Sequence, residues 1–483
     1  MRRLRSLVVF VLCLAAPLAT GAAPPPAAPE LLRLARPAGG EWHGIYLLGK
    51  KAGWTFSDLV EAEYEGKPAV RSVSRIALRV SVGAKEVERL VDDERFYERK
   101  DGGRLLGFRS TRKGDGGDRV ISGRCGPERC EVTVEGPSGK EVRTIPSPGE
   151  KLEDADPARL TAARRKVVVS SFLELESLRV KTSRNEFAGE EKRQIAGVEV
   201  VTLRVTSTEG GESLVTGAVF AKDGGALLEL SLGKAMSARP EPEEVAKTLA
   251  GHVDLFALTR VALPTPLPHD ATEVTLVVKG LPAAFRTNDT RQTFESLDGD
   301  RVRIKIRAAR PKGHAKLPVE RSRFEKELAS TPTIDADAPA IRALAEKLVP
   351  EPKGDALAIA GTLVGWVSGA LKKVYGQSSD RASLVLQERR GDCTEHSILF
   401  AALARAVGLP ARTVHGLVAA QIDGNSALFW HEWVEVWAGE WVAVDPTFGQ
   451  PIADATHLTL GIEDSSSSVG LLGQLEVLEA SGK

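Results

Sequence analysis

The stretch that decides the fold of the C-terminal region reads Arg390-Gly391-Asp392-Cys393-Thr394-Glu395-His396. Asp392 is a good N-cap residue, and Glu395 three positions later completes an aspartate version of the capping box. Gly408 and Pro410 then end the pattern. The apolar residues between these signals recur at helical spacing, at Ile398, Leu399, Ala402, Leu403, Ala406 and Val407. The stretch therefore predicts a helix that begins at Cys393.

A cysteine at the first position of a helix has a distinct chemistry. The helix dipole and the free backbone N–H groups at that end stabilise a thiolate over a thiol. Cys393 is therefore a candidate nucleophile, and we expect its pKa to lie below that of an ordinary thiol. The competing interpretation is a buried structural cysteine, which is common in intracellular proteins and less natural in an exported one.

A base for this thiol is found in residues 427–447, which read as two strands joined by the turn Ala438-Gly439-Glu440. If the turn has three residues, odd-numbered positions of both strands share one face. Asp445 then lies opposite Trp433 and diagonal to His431. A strict two-residue loop would put His431 and Asp445 on opposite faces unless a bulge restored the register. The other face is apolar and fit to pack on a helix, and it consists of Val434, Val436, Val442 and Val444.

Together these residues form a nucleophile, a base and an orienting group. Cys393 attacks, His431 takes and returns the proton, and Asp445 holds the imidazole in one tautomer. Taken singly, His431 fits a sheet-surface histidine and Asp445 a turn residue before proline. All three in the right chemical setting predict a catalytic triad.

Other aromatic side chains lie near His431 in the sequence. We expect Trp430 to pack in the core and Trp433 to line the substrate-binding wall of the site. His396 and His457 could be metal ligands together with His431, but no ligand spacing supports this. The sequence therefore predicts neither a metal site nor a cofactor.

At these residues the chain resembles the transglutaminase-like superfamily, a branch of the papain-like cysteine enzymes. The resemblance covers roughly residues 335–460, and the segment from Phe448 to His457 looks like that of bacterial exported members. The resemblance gives the family's catalytic roles to Cys393, His431 and Asp445. It implies a core whose nucleophile helix packs on an antiparallel sheet. The β-rich region before the core lies outside the resemblance, and the two together predict an α+β fold. The stretches that carry the resemblance are Gly391–His396, Arg405–Arg412, His431–Val436 and Trp441–Thr447.

The activity that the resemblance implies is acyl transfer from an amide through a thioester on Cys393. The Cys393 backbone N–H should be one oxyanion donor, because a helix start leaves it free. We expect a peptide or protein substrate, and we favour a protease or amidase over a transamidase because nothing specifies an amine acceptor. The alternative is a non-catalytic binding or scaffold protein, in which the β-rich region binds a partner and the core is structural.

The first 22 residues predict a signal peptide. Three arginines precede the apolar run Leu7–Leu18, and small residues follow before Pro24. The run is shorter than the roughly 20 residues that a membrane span needs. A lipoprotein signal at Cys13 is disfavoured by the bulky Leu12 before it. We therefore expect cleavage and a periplasmic or extracellular location.

Removal of this signal leaves three of the four cysteines, an odd number for an oxidising compartment. Cys125 and Cys130 bracket the turn-like tetrapeptide Gly126-Pro127-Glu128-Arg129, which favours a disulfide across a hairpin. Half of a metal site is the rival interpretation, but no second Cys/His pair lies nearby. Cys393 would then be the one free thiol.

The composition excludes some classes of function. The 65 Lys and Arg residues balance 65 Asp and Glu residues, so the chain has no general electrostatic footprint for nucleic acid. The hydrophobic share of 42% and the charged share of 27% indicate a globular protein. We expect no nucleic-acid partner and no membrane span in the mature chain, and the oligomeric state is left open.

The 483 residues have room for several domains. In the N-terminal part, residues 71–82 and 198–205 alternate as strands do, and one helix is expected at 157–166. This pattern favours a β-sandwich or a strongly curved sheet. In the core, Asp337 is the expected N-cap of a helix that ends at Leu348. The expected division is a signal peptide (1–22), a Pro/Ala linker (23–39), a β-rich domain (40–235), a second β segment (236–332), the catalytic core (333–465) and a tail (466–483).

Overall fold

The computed structural model describes residues 27–483, apart from gaps at 83–84, 115–116, 138, 196, 210–213, 234, 250–252, 310, 312–314, 376–378, 380, 423, 463–470 and 472. The expected signal peptide lies outside the described residues. A large antiparallel sheet comes first, and a core of helices and strands follows it. The expected α+β fold is thereby confirmed.

The N-terminal region folds as one antiparallel sheet that contains fourteen strands within the described ranges. The predicted strands at 71–82 and 198–205 are parts of its third and eleventh strands. The spatial order runs from the eighth strand back to the first, and then from the fourteenth back to the ninth. The strands are β1 (Glu41–Leu47), β2 (Lys50–Tyr64), β3 (Lys67–Val82), β4 (Lys85–Glu98), β5 (Leu105–Gly114), β6 (Arg119–Cys125), β7 (Arg129–Gly136), β8 (Gly139–Pro146), β9 (Val168–Glu174), β10 (Arg179–Ile195), β11 (Val198–Glu209), β12 (Leu214–Ala221), β13 (Leu227–Leu232) and β14 (Met236–Pro240).

The two halves of this sheet share a core. Leu173 of the edge strand β9 packs in one apolar cluster with Ile121 of β6 and Val132 of β7. The Arg95 side chain of β4 donates a hydrogen bond of 2.8 Å to the Leu173 carbonyl oxygen. Because strands twist, a sheet this wide can curl until its distant strands meet. Of the two expected forms, the structure has the strongly curved sheet.

The expected flexible linker at 23–39 is wrong for the residues that the structure describes there. Helix α1 (Glu30–Arg33) places Leu31 in the core of the sheet, where it is 1% exposed. Glu30 accepts a hydrogen bond of 2.5 Å from Arg164, the last residue of α2 (Pro157–Arg164). The Pro/Ala-rich segment contains three leucines: Leu31 is buried, and Leu32 and Leu34 pack against the same cluster, which holds the segment in place.

The region between this sheet and the core forms short elements. Its strands β16 and β17 each pair with β18, and β15 joins the sheet of the core instead. The elements are α3 (Glu243–Lys247), α4 (Leu255–Thr259), β15 (Val261–Ala262), β16 (Glu273–Lys279), β17 (Gln292–Ser296), β18 (Arg301–Arg307), β19 (Lys316–Leu317) and α5 (Glu325–Leu328).

The core has an α-then-β order. Its sheet follows the order β15, β24, β23 and β26, and β25 pairs with β24. The elements are α6 (Pro339–Leu348), β20 (Gly354–Asp355), α7 (Ala356–Ala370), β21 (Lys372–Lys373), α8 (Ala382–Glu388), β22 (Arg390–Gly391), α9 (Cys393–Ala406), β23 (Ala411–Ile422), β24 (Asn425–Trp437), β25 (Trp441–Val444) and β26 (His457–Ile462).

Helix α9 packs on the apolar face of the β24–β25 hairpin, as the sequence predicts. The four valines of that face are completely buried and share one cluster with the apolar side chains of α9. This packing sets the position along β24 beside which the first residue of α9 lies. It thereby positions Cys393 against the strand that carries His431.

The expected C-terminal tail at 466–483 contains a strand. Residues Glu476–Gly482 form β27, which pairs with β16 and completes a four-stranded sheet in the order β17, β18, β16, β27. The Gln292 side chain joins this sheet to the core, because its amide bonds both the N–H and the carbonyl oxygen of Thr459 on β26. The small sheet therefore supports the strand that follows the candidate site.

The start of α6 differs from the expectation. Ala338 is the N-cap residue and makes no side-chain cap, while the Asp337 carboxylate accepts a hydrogen bond from Ser330. Pro339 at the first helical position explains why the helix starts there without a side-chain cap, since its ring presets the backbone angle.

Across the described ranges, none of the helices has the length and apolar character to cross a membrane.

Candidate active site

The site is built at the N-terminus of α9. The Asp392 side chain accepts a hydrogen bond of 3.0 Å from the Thr394 N–H and a second one from the N–H of Glu395. The Glu395 carboxylate accepts in return from the Asp392 N–H at 2.9 Å, so the predicted capping box is confirmed. Cys393 occupies the first helical position. The cap uses the N–H groups of the next two residues and not that of Cys393.

The register of the β24–β25 hairpin is the one that the three-residue turn predicts. Val434 pairs with Val444, and Trp437 pairs with Trp441. Odd-numbered positions therefore share a face, and Nε2 of His431 lies 2.8 Å from Oδ2 of Asp445. Both side chains are buried, His431 at 8% and Asp445 at 0% exposure.

Asp445 is held as a carboxylate by four hydrogen bonds. Oδ1 accepts from the N–H groups of Thr447 (2.7 Å) and Phe448 (3.0 Å), and Oδ2 accepts from two imidazoles. Burial opposes ionisation, but the histidines outweigh it and hold the pKa of Asp445 well below its usual range. Since an ionised carboxylate only accepts hydrogen bonds, Nε2 of His431 carries a hydrogen and Nδ1 has the lone pair of a base.

The second imidazole belongs to His457, which the sequence suggested beside His431 only as a metal ligand without supporting spacing. Its Nε2 lies 3.0 Å from Oδ2 of Asp445, and its Nδ1 lies 3.1 Å from Oδ1 of Asp454. The ring is completely buried. The segment that carries it looked like part of exported relatives, and that resemblance was the one available signal.

One group of side chains has the spacing of metal ligands. The ligand atoms of His431, Asp445 and His457 all lie within 4.8 Å of one another. Two imidazole nitrogens and a carboxylate oxygen suit zinc chemically. In the structure these same atoms are already joined by hydrogen bonds of 2.8 and 3.0 Å, and those bonds account for the arrangement.

Glu432 directly follows His431, and its backbone favours the thiolate form of Cys393. The Ser397 hydroxyl donates to the Glu432 carbonyl oxygen at 3.1 Å. Cys393 and Ser397 are one helical turn apart, so one face of α9 is anchored on this single peptide. The nucleophile is thereby fixed beside the strand position of His431.

The electrostatics of the thiol differ from the expectation. Burial raises the pKa of Cys393 well above its ordinary value, and the carboxyl groups of Asp392, Glu432 and Glu395 raise it further. Burial, together with the Asp392 carboxyl, also raises the pKa values of Glu432 and Glu395 to about 8. The expected lowering of the pKa by the helix start is therefore outweighed, and the resting cysteine is a neutral thiol.

The predicted role of Trp433 in substrate binding is wrong. Its side chain is 0% exposed and packs with Val414, Ala443 and Ala453, so a substrate has no access to it. Its ring centroid lies 6.0 Å from that of His431, on which it stacks. Trp433 therefore supports the imidazole from inside the protein. Trp430 packs on a second apolar cluster, as expected.

Phe448 takes the place that was expected for Trp433. Its ring stacks on His431 with 4.9 Å between centroids and 15° between planes, and it is 45% exposed. The Lys373 ammonium lies 5.5 Å from the ring centroid of Phe448. Phe448 is therefore an aromatic side chain that contacts the base and is open to solvent. Its place after the Asp445-Pro446-Thr447 run could have revealed it.

The remaining sequence predictions concern cysteines and His396. Cys125 and Cys130 form a disulfide between paired strands β6 and β7, and Cys393 is free. The disulfide prediction is thereby confirmed. His396 is completely buried at the helix start, where its Nδ1 lies 2.7 Å from the Asp392 carbonyl oxygen, and burial lowers its pKa.

This arrangement defines a class of protein: a cysteine at a helix N-terminus packed on an antiparallel sheet that carries a histidine–aspartate pair. Residues 342–446 match the family model described as the transglutaminase-like superfamily. The match lies inside the range expected from the sequence motifs, and the resemblance is confirmed for this part of the chain. No curated protein matches the chain.

Three solved structures are similar to parts of the chain. A "Putative Cysteine Protease" from Cytophaga hutchinsonii shares 13% identity over 47% of this chain and 85% of its own, with a TM-score of 0.30. A β-barrel-like protein of a domain of unknown function from Brucella abortus shares 10% over 42% and 94%, with a TM-score of 0.31. A "Putative Protease" from Parabacteroides distasonis shares 11% over 71% and 68%, with a TM-score of 0.19. TM-scores this low support no conclusion about function.

Proposed function

We propose that this protein is an exported cysteine enzyme that cleaves or transfers amide acyl groups of peptides or proteins. The observation that carries the proposal is the hydrogen bond of 2.8 Å between His431 and Asp445, beside the Glu432 peptide that the first turns of α9 contact. A base oriented by a carboxylate beside a thiol is the arrangement that nucleophilic catalysis requires. The match to the transglutaminase-like superfamily supports a cysteine enzyme in general.

The chemical steps follow from the tautomer of His431. Its Nδ1 accepts the thiol proton while the Sγ–C bond forms and the substrate carbonyl oxygen becomes an oxyanion. The imidazolium then gives this proton to the amide nitrogen, the C–N bond breaks, and the amine leaves a thioester on Cys393. Water attacks the thioester with the same imidazole as base, and the acid is released as Sγ regains its proton.

The Cys393 N–H is the proposed first oxyanion donor. The capping box takes the N–H groups of Thr394 and Glu395, so the N–H of the nucleophile stays available. In a site of this kind one such donor contributes on the order of 100-fold to the rate. The donor belongs to the nucleophile itself, so no separate loop has to bring it to the oxyanion.

The raised pKa of Cys393 decides when the proton moves. A thiol that is neutral at rest gives its proton to His431 during the attack, rather than in advance as a thiolate–imidazolium pair. The two carboxyl groups with pKa values of about 8 are mostly protonated at neutral pH, so they add little repulsion in that range. The enzyme should therefore work best near neutral pH.

Hydrolysis is the preferred outcome over transamidation, because no feature of the described site selects an amine acceptor. Phe448 offers an apolar surface next to the base, which suits an acyl side chain or a peptide segment.

The proposal of export rests on the N-terminal sequence and on the disulfide. An arginine-containing start followed by Leu7–Leu18 is typical of a secretory signal. The bond between Cys125 and Cys130 is stable in an oxidising compartment and rare in a reducing one. A periplasmic or extracellular location would satisfy both observations. Cell fractionation with a signal-deletion control tests it.

A peptide-library assay with and without an added primary amine tests the activity. The purified wild-type protein should release new amino termini or ammonia, and Cys393→Ala and His431→Ala should abolish this. Ser330→Ala is a matched control, because this residue bonds Asp337 away from the site. Wild-type activity in the Cys393→Ala variant would reject the proposal.

One observation favours a second candidate function, a binding or scaffold protein. The neutral resting thiol is what a structural cysteine would also show. In that case the curved N-terminal sheet would bind the partner, and His431→Ala would leave partner binding and stability unchanged. A single acyl-enzyme adduct on Cys393, found by intact-mass spectrometry with a peptide thioester or ester, would exclude this alternative.

A further inference from the structure

His457 is a buried histidine between two carboxylates that the mechanism above does not use. Its Nε2 lies 3.0 Å from Asp445, and its Nδ1 lies 3.1 Å from Asp454. Carboxylates that accept other hydrogen bonds can offer only lone pairs to the ring. Both ring nitrogens must then carry a hydrogen, so the geometry requires an imidazolium.

The state of the carboxylates agrees with this assignment. Asp454 also accepts hydrogen bonds from the Thr456 N–H at 2.8 Å and from the Gln450 side chain at 2.8 Å. Burial opposes its ionisation, but His457 and Thr456 outweigh burial and lower its pKa below the usual range. Burial likewise opposes the charge on His457, yet the two carboxylates raise its pKa. The ring is therefore a fixed cation with an anion on each side.

His457 decides the direction in which Oδ2 of Asp445 points. This single oxygen receives both imidazoles, while Oδ1 receives the two backbone N–H groups of the following turn. Without His457, one lone pair of Oδ2 would be unsatisfied at a position that is closed to solvent. The carboxylate could then rotate away from His431 to recover a donor.

We propose that His457 is a positioning residue, which holds Asp445 in the orientation that fixes His431 as the base. The proposal rests on the proposed function. A chain of hydrogen bonds runs from Asp454 through His457 and Asp445 to His431, and it connects the start of β26 to the base. His457 acts on the base through Asp445, which it contacts directly.

This chain of hydrogen bonds is connected to the four-stranded sheet of β17, β18, β16 and β27. Arg291 is 4% exposed and donates to the carbonyl oxygens of Asp454 at 3.0 Å and His457 at 3.4 Å. The charged groups that face His457 are therefore Asp445, Asp454 and Arg291, and the titratable ring of His431 lies beside it. The position of the base thus depends on a sheet that lies outside the catalytic motifs.

Two substitutions at this position test the proposal. His457→Phe keeps the ring volume and removes both donors, and His457→Gln keeps one donor without the charge. We expect kcat to fall about 100-fold in His457→Phe, the size of effect that a misplaced group produces, with little change in KM. His457→Gln should recover part of the loss. The control is Thr459→Val on the same strand, where the hydroxyl is buried without a hydrogen-bond partner among the described residues.

The pH dependence of kcat distinguishes a positioning role of His457 from a purely structural one. In the wild type, kcat should fall at alkaline pH for two reasons: Glu432 and Glu395 ionise near pH 8, and His457 loses its proton and one hydrogen bond. The His457→Gln variant should keep the first contribution and lack the second, so its alkaline profile should differ from that of the wild type. Wild-type kcat in both His457 variants, or an unchanged alkaline profile in His457→Gln, would overturn the proposal.

The nitrogen-15 NMR spectrum of the histidine rings tests the proposal without any activity. In the wild type, one ring with both nitrogens protonated should persist above pH 7 and change on Asp454→Asn. In His457→Gln, the Nε2 hydrogen of His431 should lose its sharp signal. A wild-type ring at 457 with one bare nitrogen overturns the proposal even if the variants do not fold. Inactivity of the wild type together with the expected spectrum would reject the enzymatic function alone.

Discussion

His431 lies on β24 and Asp445 directly follows β25 of the same hairpin, and 2.8 Å separates Oδ2 of Asp445 from Nε2 of His431. The three-residue turn sets this distance, because it places odd-numbered residues of both strands on one face. Asp445 has no free lone pair left after its four hydrogen bonds. If a hydrogen-bond donor replaced either oxygen of Asp445, it would face two other donors and those hydrogen bonds would be lost.

Replacement of this carboxylate by an amide is the first prediction. In Asp445→Asn, an NH₂ group would face either the imidazole donors or the backbone N–H groups, so His431 loses its fixed tautomer. We expect kcat to fall on the order of 10³- to 10⁴-fold. Steady-state kinetics on a peptide substrate measure this. The matched control is Asp335→Asn, a buried aspartate that bonds Ser383 and no histidine.

The Asp335→Asn control should lose stability and keep kcat near the wild-type value. A loss of kcat as large as that in Asp445→Asn would mean that any buried aspartate of the core is equally necessary. The kinetic role of Asp445 would then be only structural.

Phe448 carries the second prediction, about substrate binding. The Phe448→Ala substitution removes an exposed ring that stacks on His431, while its backbone N–H to Asp445 is kept. We expect kcat/KM to fall about fivefold, since such aromatic contacts contribute about 1 kcal/mol, and most of the change should be in KM. Phe448→Tyr keeps the ring and should behave like the wild type. A large drop in kcat with constant KM would contradict the substrate-wall role.

The disulfide gives the third prediction. The Cys125→Ala/Cys130→Ala double variant loses a link that closes a short hairpin loop, which lowers the free energy of unfolding by about 2 kcal/mol. Activity should persist, because the bond joins β6 and β7 in the N-terminal sheet. Denaturant unfolding followed by circular dichroism measures the loss. Thiol titration of the denatured secreted protein should find one reactive thiol before reduction and three after it.

Local signals in the sequence predicted the helix start and the hairpin register. Asp392, Cys393 and Glu395 lie within four positions, so a capping box suffices to place the nucleophile. His431 and Asp445 are joined by one short turn, so residue parity decides their face. Such short-range geometry is contained in the order of the residues. The match to a family model over 342–446 agrees with these motifs.

The parts that failed depend on contacts between distant segments. Nothing in the local sequence shows that Trp433 turns into the core while Phe448 covers His431. His457 reaches Asp445 because β26 pairs with β23, a register that the intervening sequence does not fix. The exposure of a side chain and the charges around it are set by the assembled fold, and the thiol of Cys393 is the clearest case.

The fourth prediction follows from the carboxyl groups around that thiol. Iodoacetamide labelling of Cys393 against pH should show an inflection above that of an ordinary thiol, because burial and nearby carboxyl groups raise its pKa. In Glu432→Gln one of these groups is gone, so the inflection should move to lower pH. The exposed Glu346→Gln on α6 is the matched control and should leave it unchanged. An inflection below pH 8.5 in the wild type would restore the helix-start expectation.

The same substitution changes how stability depends on pH. The pKa of Glu432 is raised to about 8, so the folded protein keeps this proton between pH 4.5 and 8 while the unfolded chain has lost it. Its contribution to stability is therefore present below pH 4.5 and is lost as the pH rises to 8. Glu432→Gln should lose less stability over this window, and Glu395, with a similar pKa, keeps part of the slope. Thermal melts at pH 5 and pH 8 measure the difference, and an equal loss in wild type and variant would show that Glu432 is ionised in the folded protein throughout that range.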